Sequence, residues 1–231
     1  MSPTASDATI LQVCELFRSI AGETTYAGLP AAFVRLSGCN LRCSWCDTQK
    51  AWEGGTEMPL GRVVELLLQK SDELIIITGG EPLMQAGTIE LCEQLLERGR
   101  EVLLETNGSR DVSGVPQGVR IILDVKTPSS GEHEKMDLDN LVRLKPGDEV
   151  KFVIANREDF EWCAALLREH NLPENVNILF SAASDLLEPE TLAGWILESK
   201  SAVRLQVQLH KIIWPGGAEG EQILDESGDS R

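Results

Sequence analysis

Three cysteines fall within eight residues of the stretch GCNLRCSWCDT, Gly38 to Thr48: Cys39, Cys43 and Cys46, spaced C-x3-C-x2-C. Thiols packed so closely read as metal ligands. A structural zinc site closes a tetrahedral shell with four Cys or His ligands, and no second CxxC or HxxxH stands in the chain to complete one. Ferredoxin-type clusters take four thiolates at other spacings. The other three cysteines read as ordinary core: Cys14 lies in an apolar strand pattern, and Cys92 and Cys163 lie among apolar helix residues. Three thiolates on a cube of four irons leave one iron open, which is what catalysis or ligand binding needs. The spacing therefore points to a [4Fe–4S] centre whose fourth ligand is a substrate or a cofactor.

These residues must be positioned by a core, and the composition allows one. The chain has 231 residues, 42% of them hydrophobic, enough for one domain with small additions. A formal net charge of −16 argues against a general nucleic-acid binder or a basic membrane-surface protein, because phosphate neutralisation needs clustered Lys and Arg. A small anionic ligand in a local basic pocket is still allowed. Six cysteines are too few for a disulfide scaffold, which suits a metal site in a reducing compartment. The opening MSPTASDAT is neither basic nor apolar, and no run approaches the roughly eighteen apolar residues of a membrane span, so a soluble cytoplasmic protein is expected.

Strands are expected over Ile10–Leu16, Ala31–Leu36, Leu74–Thr78, Val102–Thr106, Val119–Asp124, Val150–Ile154, Val176–Phe180 and Val203–Gln208. Many are nearly continuous apolar runs of the kind buried on both faces. Amphipathic helices are expected over Arg62–Lys70, Thr88–Arg98, Glu158–Glu169 and Pro189–Ser199, with Gly99 as a helix-ending glycine. Alternating β and α predicts an α/β fold whose mostly parallel sheet curls into a full or partial barrel. Function then belongs at the carboxyl ends of the strands. Residues 1–9 are expected to be disordered, 10–215 to form the single domain, and 216–231 to be an acidic flexible tail.

The cysteine stretch follows the Ala31–Leu36 strand directly, and three more motifs end predicted strands. ITGGEP (Ile77–Pro82) carries two glycines that let backbone approach a ligand. ETNG (Glu105–Gly108) and DVKTPSSG (Asp124–Gly131) end the next two strands. Each alone is an ordinary turn. Lys126 offers a point charge for a carboxylate.

C-x3-C-x2-C with Trp45 before the last cysteine resembles the signature of the radical S-adenosylmethionine (SAM) enzymes. The resemblance implies that the amino and carboxylate groups of SAM chelate the open iron, and that the reduced cluster cleaves SAM to a 5′-deoxyadenosyl radical. FRSIAGETTYAGLPAAFVRLSGCNLRCSWCDT, DVKTPSSG and the terminal QVQLHKIIWPG together resemble the 7-carboxy-7-deazaguanine synthase family, over about Phe17 to Pro215. That family rearranges 6-carboxy-5,6,7,8-tetrahydropterin with loss of ammonia on the route to queuosine and other 7-deazapurines. Glycyl-radical activating enzymes, the alternative enzyme reading, share the cysteine cluster and the GGEP-like turn but are not expected to combine the GE-x5-GxP lead-in with QLHKxIW. A non-catalytic iron–sulfur or zinc module is disfavoured, because binding alone does not require several loop motifs converging on one open metal position.

Residue by residue, the resemblance implies cluster ligation by Cys39, Cys43 and Cys46, and SAM contacts from Trp45, Gly80, Glu81, Glu105, Lys126 and Ser181. It implies pterin contacts from Ile20, Ala21, Gly22, Glu23, Arg35, Thr78, His210 and Pro215, with Thr48 ligating Mg²⁺. Glu23 is suited to accept two N–H bonds from an aminopyrimidinone edge, and Arg35 to grip a carboxylate. The family also implies a homodimer and an external electron donor such as a flavodoxin. Two departures stand out. The usual Leu/Ile-Gln-Gly-Glu-Gly turn here reads Ile20-Ala21-Gly22-Glu23-Thr24, and SAASD (Ser181–Asp185) replaces a Ser-Pro-aromatic pattern.

Overall fold

The computed structural model describes residues 9–69, 72–215 and 221–223. In chain order the strands are β1 (Ile10–Ile20), β2 (Pro30–Leu36), β3 (Thr56–Pro59), β4 (Leu74–Gly79), β5 (Glu101–Thr106), β6 (Arg120–Val125), β7 (Glu149–Ile154), β8 (Asn177–Ala182), β9 (Arg204–Gln206) and β10 (Glu221–Gln222). The helices are α1 (Leu60–Leu68), α2 (Gly87–Glu97), α3 (Asn140–Arg143), α4 (Arg157–Glu169), α5 (Pro189–Ser199) and α6 (Leu209–Ile213). One sheet runs β10-β1-β2-β4-β5-β6-β7-β8-β9, parallel from β2 onward, with β3 also paired to β1. Strands β2, β3 and β10 all pair antiparallel with β1. Among the described residues the two ends of this path do not pair with each other, so the barrel is partial, as expected.

The pleat decides what faces where. Successive side chains on a strand point to opposite faces. In β4, Ile75 and Ile77 join the main core beneath the helices, whereas Ile76 belongs to a smaller cluster with Ala21, Ala31, Leu74, Leu103 and Ile122. Full burial of each such Ile or Leu contributes about 1.5–3 kcal/mol. The small cluster, capped by Phe33, forms the floor of the concave face. Residues sharing the parity of Phe33, Ile76, Leu103 and Ile122 toward the strands' carboxyl ends are Arg35, Thr78, Glu105 and Asp124. In β7 the apolar Val150, Phe152 and Ile154 belong to the main core, which turns Lys151 inward.

The helix ends follow local chemistry. The Asn156 side chain accepts from Asp159 N at the start of α4. After α2, Gly99 takes φ +72 while Arg100 N donates to Leu95 O and Gly99 N to Leu96 O, the left-handed stop expected of that glycine.

Several expectations shift. β1 runs four residues beyond Leu16. β9 stops at Gln206, not Gln208, because the chain turns there into α6, with the Gln206 side chain accepting from Thr24 N at 2.7 Å. Strands β3 and β10 and the short helices α3 and α6 have no periodic signal in the sequence. Residues 221–223, placed by the sequence in a flexible tail, instead pair with β1 and bury Ile223 in the main core. Thr9, counted with the disordered start, donates to Glu90 through its hydroxyl at 2.8 Å. The rest of both terminal segments lies outside the described residues, as does Lys70. No helix among the described residues is long and apolar enough to cross a membrane.

Candidate active site

The carboxyl ends of the strands open into a cavity of about 510 Å³, within the range of small-molecule sites. One end is walled by Cys39, Cys43 and Cys46, on the loop that leaves β2. The Sγ of Cys39 accepts from Leu41 N at 3.5 Å and from Asn107 Nδ2 at 3.8 Å. Such donors suit a thiolate bound to iron, where hydrogen bonds to sulfur tune the cluster. Burial pushes the free Cys43 thiol up to about 11, with Lys126 opposing. No three His, Cys, Asp or Glu side chains among the described residues converge on a single metal ion. Cys92 and Cys163 are fully buried in helices, with thiols pushed upward, Cys92 to about 12, so both are core as expected. Cys14 lies on β1 at a bulge, with its Sγ on Lys50 O at 3.8 Å.

The two glycines after β4 have a reason that the sequence alone did not give. A Cβ at Gly80 would sit 2.7 Å from Ala51 O and from Cys39 Cβ, and one at Gly79, where φ is +154, would sit 2.8 Å from Leu36 N. Their first task is to let this turn press against the cysteine loop, locked by Gly80 N to Leu36 O and Glu81 N to Gly38 O.

Glu81 is placed differently from the other expected site residues. Its side chain is fully buried and does not line the cavity. It accepts from Leu83 N at 2.9 Å, Thr106 Oγ1 at 2.8 Å and Asn107 N at 2.6 Å, tying the β4 turn to the end of β5. Burial raises its carboxyl pKa, with those donors opposing. Its side chain braces the wall. Pro215 is exposed and lies outside the cavity lining, two residues past the end of α6.

Every other expected site residue lines the cavity: Ile20, Ala21, Gly22, Glu23, Arg35, Trp45, Thr48, Thr78, Gly80, Glu105, Lys126, Ser181 and His210. Lys126, read from sequence as available to a carboxylate, already has one: it pairs with Asp124 at 2.9 Å and lies 5.3 Å from the Trp45 ring centroid. Asp124 also meets Lys151 at 3.4 Å, and Lys151 meets Glu23 at 2.7 Å. Burial alone would lower the Lys151 pKa, but the carboxylates of Asp124, Glu23 and Glu105 raise it well above the usual lysine value. Burial would likewise raise Asp124, and Lys126 and Lys151 together hold it below the usual range. Thr78 donates to Glu105 at 2.7 Å, where burial raises the carboxyl.

Arg35 donates through Nε to Glu15 at 2.5 Å, and its terminal nitrogens make no hydrogen bond among the described residues. Lys50 shares Glu15 at 2.8 Å. Thr48 donates its hydroxyl to Asp47 Oδ1 at 2.9 Å. A segment carrying Gln206, Gln208 and α6 closes over the turn that follows β1. Leu209 N donates to Gly22 O at 2.8 Å, and Gln208 Nε2 to Glu23 Oε1 at 2.8 Å and Asp47 Oδ2 at 3.4 Å. His210 lies so close to Gly22 that a Cβ there would stand 2.8 Å from its Cγ and nearer still to Nδ1. The departing residue Thr24 takes φ +71, a left-handed backbone that explains the glycine usual in this turn; its Oγ1 accepts from Tyr26 N at 3.1 Å.

Sequence reasoning missed Asp47, Asp124, Lys151 and Gln208. Lys151 and Asp124 carry a usable signal, a charge on the inward parity of a buried strand; Asp47 and Gln208 carry none.

Residues 33–181 match the radical SAM superfamily. A 7-carboxy-7-deazaguanine synthase of Koribacter versatilis (strain Ellin345) is 40% identical over 225 residues, spanning 91% of this chain and 100% of the relative. One of Chlorobaculum tepidum is 40% identical over 213 residues, spanning 91% and 97%. The crystal structure of QueE from Escherichia coli superposes with a TM-score of 0.72 at 20% identity, covering 86% of this chain and 94% of that one, which supports the fold.

Proposed function

The chain belongs to the 7-carboxy-7-deazaguanine synthase family of the radical SAM superfamily, and we propose that its cavity converts 6-carboxy-5,6,7,8-tetrahydropterin to 7-carboxy-7-deazaguanine with loss of ammonia. The observation that carries this is that one cavity is lined by three cysteines together with Arg35, Glu23 and Thr48.

A [4Fe–4S] cluster with SAM, as the superfamily implies, would supply a 5′-deoxyadenosyl radical as the hydrogen-abstracting agent for C6 of the pterin. Cys39, Cys43 and Cys46 are the residues that would hold the cluster. Trp45, Gly80, Lys126 and Ser181 line the cavity where SAM would lie, with Glu105 beneath. Arg35, fixed through Nε, presents its terminal nitrogens for the bidentate grip of a substrate carboxylate. Each oxygen of Glu23 has one partner, from Lys151 or Gln208, and each keeps a lone pair for the two N–H groups of the aminopyrimidinone. Thr48, its proton committed to Asp47, offers oxygen lone pairs to Mg²⁺, which would neutralise charge on the substrate and orient it. His210 and the segment around it cover the pterin and exclude water. The family further suggests a homodimer and an external one-electron donor such as a flavodoxin.

The deciding experiment is anaerobic reconstitution with SAM, a strong reductant, Mg²⁺ and the tetrahydropterin. Product should form without a protein partner and exceed the 5′-deoxyadenosine released, and Arg35→Ala should depress the rate. A reconstituted cluster that cleaves SAM yet leaves the pterin untouched would refute the assignment.

A further inference from the structure

Glu23 sits in the irregular connection between β1 and β2, yet it is asked to present two acceptors in one direction. Nothing in its own turn supplies that direction. The carboxylate is held from far along the chain, by Lys151 on β7 at 2.7 Å and Gln208 before α6 at 2.8 Å. Of the two, Lys151 is the anchored one. It lies on a strand buried between two others, and Lys151 and Asp124 are direct partners across the parallel β6–β7 pair. Their ion pair is 3.4 Å, and Asp124 is fixed in turn by Lys126 at 2.9 Å. The side chains of Lys151, Glu23 and Asp124 are 12%, 15% and 18% exposed, so these charges act in a medium that screens them weakly.

We infer that Lys151 is a positioning residue that fixes the direction of the Glu23 carboxylate and so sets the preference for a 2-amino-4-oxopyrimidine edge, an inference that rests on the reading of the cavity as a pterin site. A carboxylate held by Lys151 on one oxygen aims parallel acceptors at the amino group and the adjacent ring N–H. A ligand with a carbonyl in place of the amino group meets that acceptor with another acceptor and is rejected, since a polar site disfavours the analogue that leaves its groups unpaired. Without Lys151 the carboxylate swings toward Gln208, and both the affinity and the discrimination fall.

The test measures equilibrium binding of two non-reacting probes, 6-carboxypterin and its 2-oxo counterpart 6-carboxylumazine, to the cluster-reconstituted, SAM-loaded protein. The wild type should prefer the pterin. Lys151→Met should weaken the pterin by about 10- to 100-fold, the range for a lost charge-assisted bond, and should leave the lumazine nearly unchanged and SAM affinity within about twofold. Lys151→Arg should restore most of the preference. In a Glu23→Gln background, Lys151→Met should add less than about twofold, because the lysine acts through the carboxylate. Should the single Met variant not fold, the comparison of Glu23→Gln with the double variant, where neither charge faces a lost partner at that contact, still decides. Undiminished preference in Lys151→Met, or losses that add in the double variant, would overturn the inference while leaving the pterin reading in place. A wild type that binds neither probe removes the pterin reading and the inference with it.

Discussion

Replacing Gly22 by alanine isolates the closure of the C-terminal segment over the substrate turn. Gly22 does not have a left-handed φ, so the backbone accepts alanine without strain and any effect comes from the added methyl group. That methyl carbon would stand 2.8 Å from His210 Cγ and 3.1 Å from His210 Cβ. The nearest ring atom, Nδ1, would be closer still, and ordinary contacts begin near 3.5 Å, so the ring must retreat by about 1.5 Å. The retreat strains the neighbouring Leu209 N to Gly22 O bond, 2.8 Å long, worth about 0.5–1.5 kcal/mol. Global stability should fall by no more than that. Misplacement of a positioning group by about 1 Å can cost roughly 100-fold in rate. Steady-state assays should therefore show kcat/KM for the pterin down by about two orders of magnitude, with SAM affinity within about twofold of wild type. In a His210→Ala background the same substitution should cost little more, since the ring it displaces is gone. A Gly22→Ala enzyme with wild-type kinetics, or an equal loss in both backgrounds, would refute the reasoning.

Alanine at Cys39, Cys43 or Cys46 should each abolish SAM cleavage and lower bound iron and sulfide, whereas alanine at Cys14, Cys92 or Cys163 should retain the cluster; iron and sulfide analysis with an absorption spectrum decides, and one zinc without sulfide contradicts the site. Glu81→Ala strands the donors of Leu83, Thr106 and Asn107 in the interior, at about 1–3 kcal/mol each, so urea denaturation should show a loss of roughly 3 kcal/mol or more. A loss confined to SAM affinity would instead restore Glu81 as a ligand contact. Glu149, fully buried and accepting from Thr25 N at 3.0 Å, has its carboxyl raised by burial against the opposing Thr25 bonds. The native state then holds its proton to higher pH than the unfolded chain, and this stabilising contribution is lost as pH rises from about 4.3 through the raised value. Urea midpoints of Glu149→Gln should gain on wild type across that window; a constant gap would contradict the shift.

The strands and the long helices were legible because burial on both faces of a parallel sheet writes apolar runs such as LIIIT and RIILDV, and a single strong stop such as Gly99 fixes a boundary. The cysteine loop and the three strand-end motifs were legible because their chemistry is compact in sequence. What could not be read was made by distance. β10 exists only because β1 offers an open edge, α6 only because its segment lands on Gly22, and the three internal donors of the Glu81 side chain meet it only when the β4 turn and the end of β5 come together. Lys151 could have been found from strand parity; Gln208 acquires meaning only when Glu23 and Asp47 are brought beside it.

The turn from Ile20 to Thr25 is closed locally by Tyr26, Gly28 and Leu29 and is also held by partners from late in the chain: Thr25 by Glu149, Thr24 by Gln206, Glu23 by Gln208 and Gly22 by Leu209. The separation from Thr24 to Gln206 is 182 residues. During synthesis this turn leaves the ribosome early, and these long-range contacts form only after residues 149–209 have followed. The span that matches the superfamily, 33–181, leaves out both the turn and the segment that closes it. On the proposed reading, the part of the pterin site made by residues 21–24 and 206–210 thus lies outside the span that matches the superfamily, whereas Arg35 and Lys151 lie within it.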